Sequence, residues 1–206
     1  MTTPCPDPAP RSAPARDYWP TEGWRTAAPA DLGVDPAALD AMSAHLTEHY
    51  PHFNSLLVVR GGYLLHEDYR NGAAPDDLHN VKSVTKSVLS ALVGIALDTG
   101  DLASIHEPIG AFFAGHFASI ADRAKRAITL EDLLTMRSGL EWNEWAGTTI
   151  QMTASPDWVR FVLERPLAHP PGERFSYSTG DTQLIAAALQ QATGMTLLEY
   201  ADLYLF

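Results

Sequence analysis

Ser83-Val84-Thr85-Lys86 opens an apolar run that continues to Leu97 with the spacing of a helix. Residues three positions apart on a helix lie on the same face, one turn from each other. A serine and a lysine placed in this way have the geometry in which the lysine amine can take the proton of a serine nucleophile. The pattern indicates a hydrolase that works through an acyl-enzyme. Because four residues are a short pattern, the rest of the chain has to support this interpretation.

The composition is that of a globular protein. The 206 residues are 46% hydrophobic and 19% charged, which suits one domain or part of a larger one. The net charge of -11 argues against binding to nucleic acid or to an anionic membrane surface, since both need concentrated Lys and Arg. Cys5 is the only cysteine, so no internal disulfide can form. The sequence has no recognisable signal peptide and no apolar run of membrane-spanning length, so we expect a cytoplasmic protein.

The pattern along the chain divides it into a tail and one domain. Residues 1–20 are rich in proline among small and polar residues, which predicts a flexible tail. Residues 21–206 predict an incomplete domain, in which 21–82 supply a helix and a hairpin. The remainder, 83–206, predicts the helix that carries Ser83 and then a helical subdomain.

The clearest local signals are a capped helix and a hairpin. Asp35-Pro36 supplies an N-cap and a first-turn proline, and predicts a helix that runs to about His49. Two runs rich in β-forming residues, Ser55–Arg60 and Tyr63–Glu67, are separated by Gly61-Gly62 and predict a hairpin. Further helices are predicted over about residues 84–98, 129–138, 157–164, 181–192 and 196–206.

The predicted sheet is unfinished. A two-stranded hairpin is marginally stable by itself, and the sequence holds no further convincing strand. Residues 201–206 are an apolar helix end without a cap or a polar tail. Both features predict that the chain is the front part of a longer domain. A free sheet edge also predicts self-association, because unpaired backbone groups invite pairing with another chain.

Three segments resemble the serine β-lactamase and penicillin-binding-protein superfamily, in its class C-like branch. They are Val81-Lys82-Ser83-Val84-Thr85-Lys86-Ser87, Ile128-Thr129-Leu130-Glu131-Asp132-Leu133-Leu134-Thr135-Met136-Arg137-Ser138-Gly139-Leu140 and Pro171-Gly172-Glu173-Arg174-Phe175-Ser176-Tyr177-Ser178-Thr179-Gly180-Asp181. The resemblance implies an α/β (α+β) fold, with an antiparallel sheet flanked by helices and a helical subdomain. It also implies that the C-terminal strands, with the Lys-Thr-Gly or His-x-Gly element of the family, lie beyond Phe206.

The resemblance assigns roles to three residues. Ser83 is the expected nucleophile, Lys86 the general base and Tyr177 the proton relay. Lys86 must be uncharged to take a proton, so we expect its apolar surroundings to disfavour the charged form. One oxyanion donor is expected to be the N–H of Ser83, and the other to come from a strand outside this sequence. The alternatives are a capping serine, a surface lysine and a tyrosine that only packs.

The segment around Tyr177 is most similar to the 6-aminohexanoate-dimer hydrolases and their esterase relatives. Thr179 stands where the β-lactamase and peptidase branches usually have Asn, which weakens the case for their substrates. We therefore expect a small linear ester or amide substrate, contacted by Thr179 and by Trp142 and Trp145 if they line a cleft. Packing is an equal alternative for both tryptophans. A β-lactamase or D-Ala-D-Ala peptidase, and a non-catalytic acyl-binding remnant, remain alternatives.

We expect no metal and no cofactor. His45 and His49 lie one turn apart on a predicted helix, as in some zinc sites, but no His-Glu-x-x-His pattern accompanies them. A solvated helix face explains this pair better. The only partner that the sequence predicts, besides a further copy of the chain, is a small-molecule substrate.

Overall fold

The computed structural model describes residues 17–206 and divides the chain into two compact units, with the boundary between Asn80 and Val81. Most of the predicted tail, residues 1–16, lies outside the described residues. Its described end does not behave as a free tail, because the Tyr18 hydroxyl donates a hydrogen bond to the carbonyl oxygen of Gly62.

The first unit contains the predicted helix and hairpin. Helix α1 spans Pro36–His49, and Asp35 caps it by accepting a hydrogen bond from the Ala37 N–H. Strand β1 spans Ser55–Arg60 and pairs with β2, Tyr63–Tyr69, in an antiparallel ladder with one irregularity between Val58 and Val59. A short 3-10 helix that was not predicted, Pro29–Leu32, precedes α1. The hairpin turn needs its two glycines, since Gly61 and Gly62 have φ values of 60° and 92°.

Strand β2 has a backbone partner on each side. Besides β1, it pairs with the segment around Thr26, where Ala27 donates to the Leu64 carbonyl and Leu64 donates to that of Arg25. The second edge of β1 has no backbone partner within residues 17–206. The expected self-association through this edge stays a prediction.

The second unit is built from helices and loops, as predicted. Its helices are α2 Val84–Thr99, α3 Ala114–Phe117, α4 Arg123–Ala127, α5 Leu130–Leu134, α6 Thr148–Ala154, α7 Trp158–Glu164, α8 Thr179–Thr193 and α9 Leu197–Tyr204, with a 3-10 helix at Glu144–Ala146. The sequence did not predict α3, α4, α6 or the 3-10 helix. All of them are short, so hydrophobic periodicity has too few turns to show.

Helix α8 lies at the centre of the second unit. It packs against α2, α5, α6, α7 and α9. Its residues Leu184 and Ala188 are completely buried, together with Ala96 of α2 and Val162 and Leu163 of α7. This apolar core fixes the position of α2, which begins after Ser83, relative to α8, which begins after Ser178.

Helix α5 is shorter than predicted. The sequence suggested that it runs to about Ser138, but it ends at Leu134. Met136 then takes a left-handed conformation with a φ of 54°, and its carbonyl oxygen accepts a hydrogen bond from the Ser176 N–H. Further on, Leu140 pairs with Leu167 in an antiparallel bridge. The backbone after α5 is therefore used to hold residues 166–176 instead of extending the helix.

Within residues 17–206, every helix is too short or too polar to cross a lipid bilayer.

Where the segment after α5 pairs with residues 166–176, the two backbones approach most closely at Gly139. It has a φ of 76°, and a Cβ atom placed on it would overlap the backbone carbonyl oxygen of His169. Gly194 has a similar φ of 69° but nothing within 4 Å of an added Cβ.

We predict that Gly194→Ala lowers the free energy of unfolding by about 1 kcal/mol, the cost of a left-handed alanine. Gly139→Ala should lower it by at least about 3 kcal/mol, because backbone must also move.

Urea unfolding followed by circular dichroism measures both losses. Equal losses in the two variants would contradict the close approach of Gly139 to His169.

Candidate active site

Ser83 stands at the N-cap position of α2 without acting as a cap. Its backbone is already helical, with a φ of -70° and a ψ of -8°, and its side chain makes no capping hydrogen bond. The structure therefore contradicts the alternative in which Ser83 is only a helix cap. The residue before it, Lys82, has a φ of 49°, a conformation that is costly for a residue with a Cβ. This turn leaves the Ser83 hydroxyl exposed at the start of α2.

The structure brings Ser83, Lys86 and Tyr177 together. The Tyr177 hydroxyl donates a hydrogen bond of 2.8 Å to Ser83 Oγ. Lys86 Nζ lies 3.4 Å from the same oxygen, as the helical spacing predicted, and 5.3 Å from the centre of the Tyr177 ring. Ser83 Oγ is thus contacted by both groups to which the family resemblance assigns proton transfer.

Lys86 is half-buried. Its side chain borders a pocket of about 40 Å³ whose lining is mostly apolar and includes Leu89, Leu133, Met136 and Ile185. A pocket of this size has room for about one water molecule. Lys86 is therefore only partly exposed and lies beside apolar side chains.

Tyr177 is positioned by backbone contacts on one side and by a helix start on the other. The N–H of the preceding residue, Ser176, donates to the carbonyl oxygen of Met136 at 2.9 Å. The following residue, Ser178, is the N-cap of α8 and accepts a hydrogen bond of 2.9 Å from the Asp181 N–H. The position of the tyrosine ring therefore follows from the pairing beside α5 and from the capping of α8.

The predicted substrate contacts have different environments. Trp142 is 7% exposed, its ring meets that of Phe161 edge-on, and its indole N–H donates to Glu144, which favours the packing alternative. The Thr179 hydroxyl also donates to Glu144, at 2.6 Å. Trp145 is 92% exposed, so its predicted substrate contact stays open.

Residues 17–206 contain no cluster of three or more His, Cys, Asp or Glu side chains that could hold a metal ion. The rings of His45 and His49 stack at 4.1 Å, and His49 Nδ1 lies 3.0 Å from the His45 carbonyl oxygen. These contacts fit the interpretation of the pair as part of a helix face.

Two carboxylates near Tyr177, those of Glu144 and Asp181, were not singled out from the sequence. Asp181 is 1% exposed, and its Oδ1 accepts hydrogen bonds from Ser138 at 2.8 Å and from Ser178 at 3.0 Å. Its Oδ2 is buried without a hydrogen-bond partner in the described part of the chain. Burial raises the pKa of Asp181 from 3.8 to about 6, although the two serine hydroxyls oppose the increase.

The raised pKa of Asp181 predicts how stability depends on pH. The folded protein holds this proton more tightly than the unfolded chain, so the contribution of Asp181 to stability is full below pH 3.8 and is lost as the pH rises to about 6. Asp181→Asn removes this titration. Relative to the wild type, the free energy of unfolding of the variant should therefore increase by about 1–3 kcal/mol between pH 4 and pH 7.

Urea unfolding at a series of pH values measures this change. Glu199→Gln is the control, because hydrogen bonds from Thr196 lower the pKa of Glu199 below its ordinary value of 4.5. The difference in free energy of unfolding between Glu199→Gln and the wild type should stay constant from about pH 5.5 to pH 7. A difference between Asp181→Asn and the wild type that does not vary with pH would contradict the prediction.

Comparisons with known proteins show the family to which the chain belongs. Residues 54–206 match the Beta-lactamase family model. The 6-aminohexanoate-dimer hydrolase of Paenarthrobacter ureafaciens is 26% identical over 198 residues, which cover 86% of this chain and 49% of the relative. The chain thus spans about half the length of this relative.

Two solved structures share the fold. A penicillin-binding protein homologue from Pyrococcus abyssi has a TM-score of 0.64 at 18% identity, over 84% of this chain and 42% of its own. The D-alanine carboxypeptidase AmpC from Burkholderia cenocepacia has a TM-score of 0.63 at 18% identity, over 82% and 46%. Since the family model covers most of the chain, the protein belongs to the Beta-lactamase family and has the mixed α/β fold that its sequence predicted.

Proposed function

We propose that the protein is a serine hydrolase that cleaves an ester or amide bond through an acyl-enzyme on Ser83. Lys86 is the general base and Tyr177 the proton relay. The observation that carries this proposal is the convergence of two proton-transferring groups on one serine oxygen, Tyr177 at 2.8 Å and Lys86 at 3.4 Å. Such a nucleophile with a base in reach is the arrangement of covalent catalysis.

The proposed reaction has two steps. Ser83 Oγ attacks the substrate carbonyl carbon while its proton passes to the Lys86 amine. The tetrahedral intermediate then loses the alcohol or amine, which takes a proton from the Tyr177 hydroxyl, and Tyr177 recovers a proton from Lys86. In the second step a water molecule gives up a proton to the Lys86 amine and attacks the acyl carbon. Ser83 Oγ then takes that proton back from Lys86 as it leaves, which releases the acid and restores the free serine.

The direction of the hydrogen bonds sets a condition on the first step. In the structure, Ser83 Oγ accepts from both Tyr177 and Lys86. When Lys86 is uncharged, the same contact can run in the opposite direction, with Ser83 donating to the amine. The distance of 3.4 Å is longer than a normal hydrogen bond of this type, and such contacts commonly shorten when a substrate binds.

The substrate class proposed is a small linear ester or amide. The support is the similarity to a 6-aminohexanoate-dimer hydrolase, together with a threonine at position 179, where the β-lactamase and peptidase branches usually have Asn. The exposed Trp145 is the aromatic side chain proposed for substrate contact. A β-lactamase or D-Ala-D-Ala peptidase would instead turn over nitrocefin, and an acyl-binding remnant would become acylated without release.

The test is intact-mass spectrometry after exposure of the chain to a p-nitrophenyl ester. We predict that the wild type gains the mass of one acyl group and that Ser83→Ala gains none. Ser87→Ala is the matched control, because Ser87 is an exposed serine one turn further along α2 and should leave acylation unchanged.

Acylation is measured instead of turnover because the chain spans about half of its curated relative. An adduct that persists in Ser83→Ala, or a folded wild type that never gains one, would contradict the assignment of Ser83 as the nucleophile.

A further inference from the structure

Glu144 has a carboxylate that receives four hydrogen bonds from three residues, of which Thr179 is distant in the sequence. Its Oε2 accepts from the Trp142 indole N–H at 2.7 Å and from the Thr179 backbone N–H at 3.1 Å. Its Oε1 accepts from the hydroxyls of Thr149 at 3.1 Å and Thr179 at 2.6 Å. Since a carboxylate has about four acceptor positions, these donors use its full capacity, and Glu144 has none left for a ligand.

The surroundings of Glu144 favour the ionised form of its carboxylate. Burial alone would raise the pKa of Glu144, but hydrogen bonds from Thr179, Trp142 and Thr149 together lower it below its usual value. The position of Glu144 at the start of α8 also favours its negative charge. Thr179 is the first residue of α8, and the N–H groups of a first helical turn have no partner within the helix. A negative charge at this end of a helix is also favoured by the helix dipole.

Glu144 controls one of the two supports of Tyr177. On the N-terminal side, the Ser176 N–H is fixed to the Met136 carbonyl. On the C-terminal side, the second residue after Tyr177 is Thr179, which Glu144 holds through both its N–H and its hydroxyl. The backbone of Tyr177 thus lies between two residues that are held by hydrogen bonds, Ser176 and Thr179. The Tyr177 hydroxyl lies 2.8 Å from Ser83 Oγ.

We propose that Glu144 is a positioning residue, which holds the start of α8 through Thr179 and thereby keeps the Tyr177 hydroxyl on Ser83. The catalytic consequence rests on the proposed function, whereas the geometric one does not. Thr179 then has a structural role, because its backbone N–H and its hydroxyl both donate to Glu144 and so hold the start of α8.

The conservative variant Glu144→Gln separates position from charge. Its amide oxygen can accept from the Trp142 and Thr179 N–H groups, while its NH₂ group donates to the hydroxyls of Thr149 and Thr179, which reverse their direction. All four contacts are then retained without the negative charge. Glu144→Ala removes all four, and Thr149→Val removes only the contact from Thr149, so that both contacts to Thr179 remain.

The experiment compares these variants by the rate of Ser83 acylation with the p-nitrophenyl ester, at a temperature where each is fully folded. We expect Glu144→Ala to lower the rate at least about tenfold, because misplacement of a proton-transferring group has effects of this order or larger. Glu144→Gln and Thr149→Val should stay within about threefold of the wild type, since both retain the contacts to Thr179.

A spectroscopic readout tests the geometry without activity. Chains labelled with tyrosine ¹³Cζ give a Tyr177 resonance, assigned by its loss in Tyr177→Phe, that reports the hydrogen bond to Ser83. Ser83→Ala should shift this resonance, Glu144→Ala should shift it as well, and Glu144→Gln should leave it in place.

The outcomes are separable. If the wild type is not acylated but the Tyr177 resonance behaves as expected, the proposed function fails and the positioning role stands. An unchanged Tyr177 resonance in Glu144→Ala overturns the positioning role. If the wild type does become acylated, an equal rate of acylation in Glu144→Ala overturns it as well. A rate in Glu144→Gln as low as in Glu144→Ala also overturns it, because charge would then be the cause.

Discussion

The hydrogen bond from the Tyr177 hydroxyl to Ser83 Oγ is the contact on which the candidate site depends. It joins residues 94 positions apart, so it forms only when α2 and the start of α8 are both in place. A hydrogen bond of this kind contributes about 1 kcal/mol to stability, which is too little to hold two helices together. The apolar packing of α2 and its neighbours around α8 therefore sets the distance between the two residues, and the hydrogen bond depends on that packing.

Polar contacts then refine the position of the first turn of α8. Glu144 binds Thr179, and Asp181 accepts from Ser138 and Ser178. The surroundings of the two carboxylates shift their pKa values in opposite directions. Hydrogen bonds outweigh burial at Glu144 and lower its pKa, whereas burial outweighs hydrogen bonds at Asp181 and raises its pKa. The loop that carries Tyr177 is thus held by one carboxylate whose charged form is favoured, Glu144, and by one that can become neutral, Asp181.

The sequence predicted those parts of the site that depend on local geometry. Ser83 and Lys86 lie one turn apart on one helix, so their proximity follows from spacing alone. The contact of Tyr177 with Ser83 has no local signal, and only the resemblance to a family placed these residues together. Glu144 was missed for the same physical reason, since Thr179 lies 35 residues further along the chain. The length of α5 was overestimated because backbone pairing with residues 166–176, a tertiary effect, ends the helix early.

We propose that Ser83, Lys86 and Tyr177 form one reactive centre within the second unit. The most direct measurement is a crystal structure of the chain with phenylboronic acid, which adds to an activated serine as a tetrahedral boronate. We predict boron bonded to Ser83 Oγ, with Lys86 Nζ and the Tyr177 hydroxyl both within hydrogen-bonding distance of the boronate or of Ser83. A structure in which Ser83 carries no boron, or in which the Tyr177 hydroxyl has moved away from it, would contradict the account.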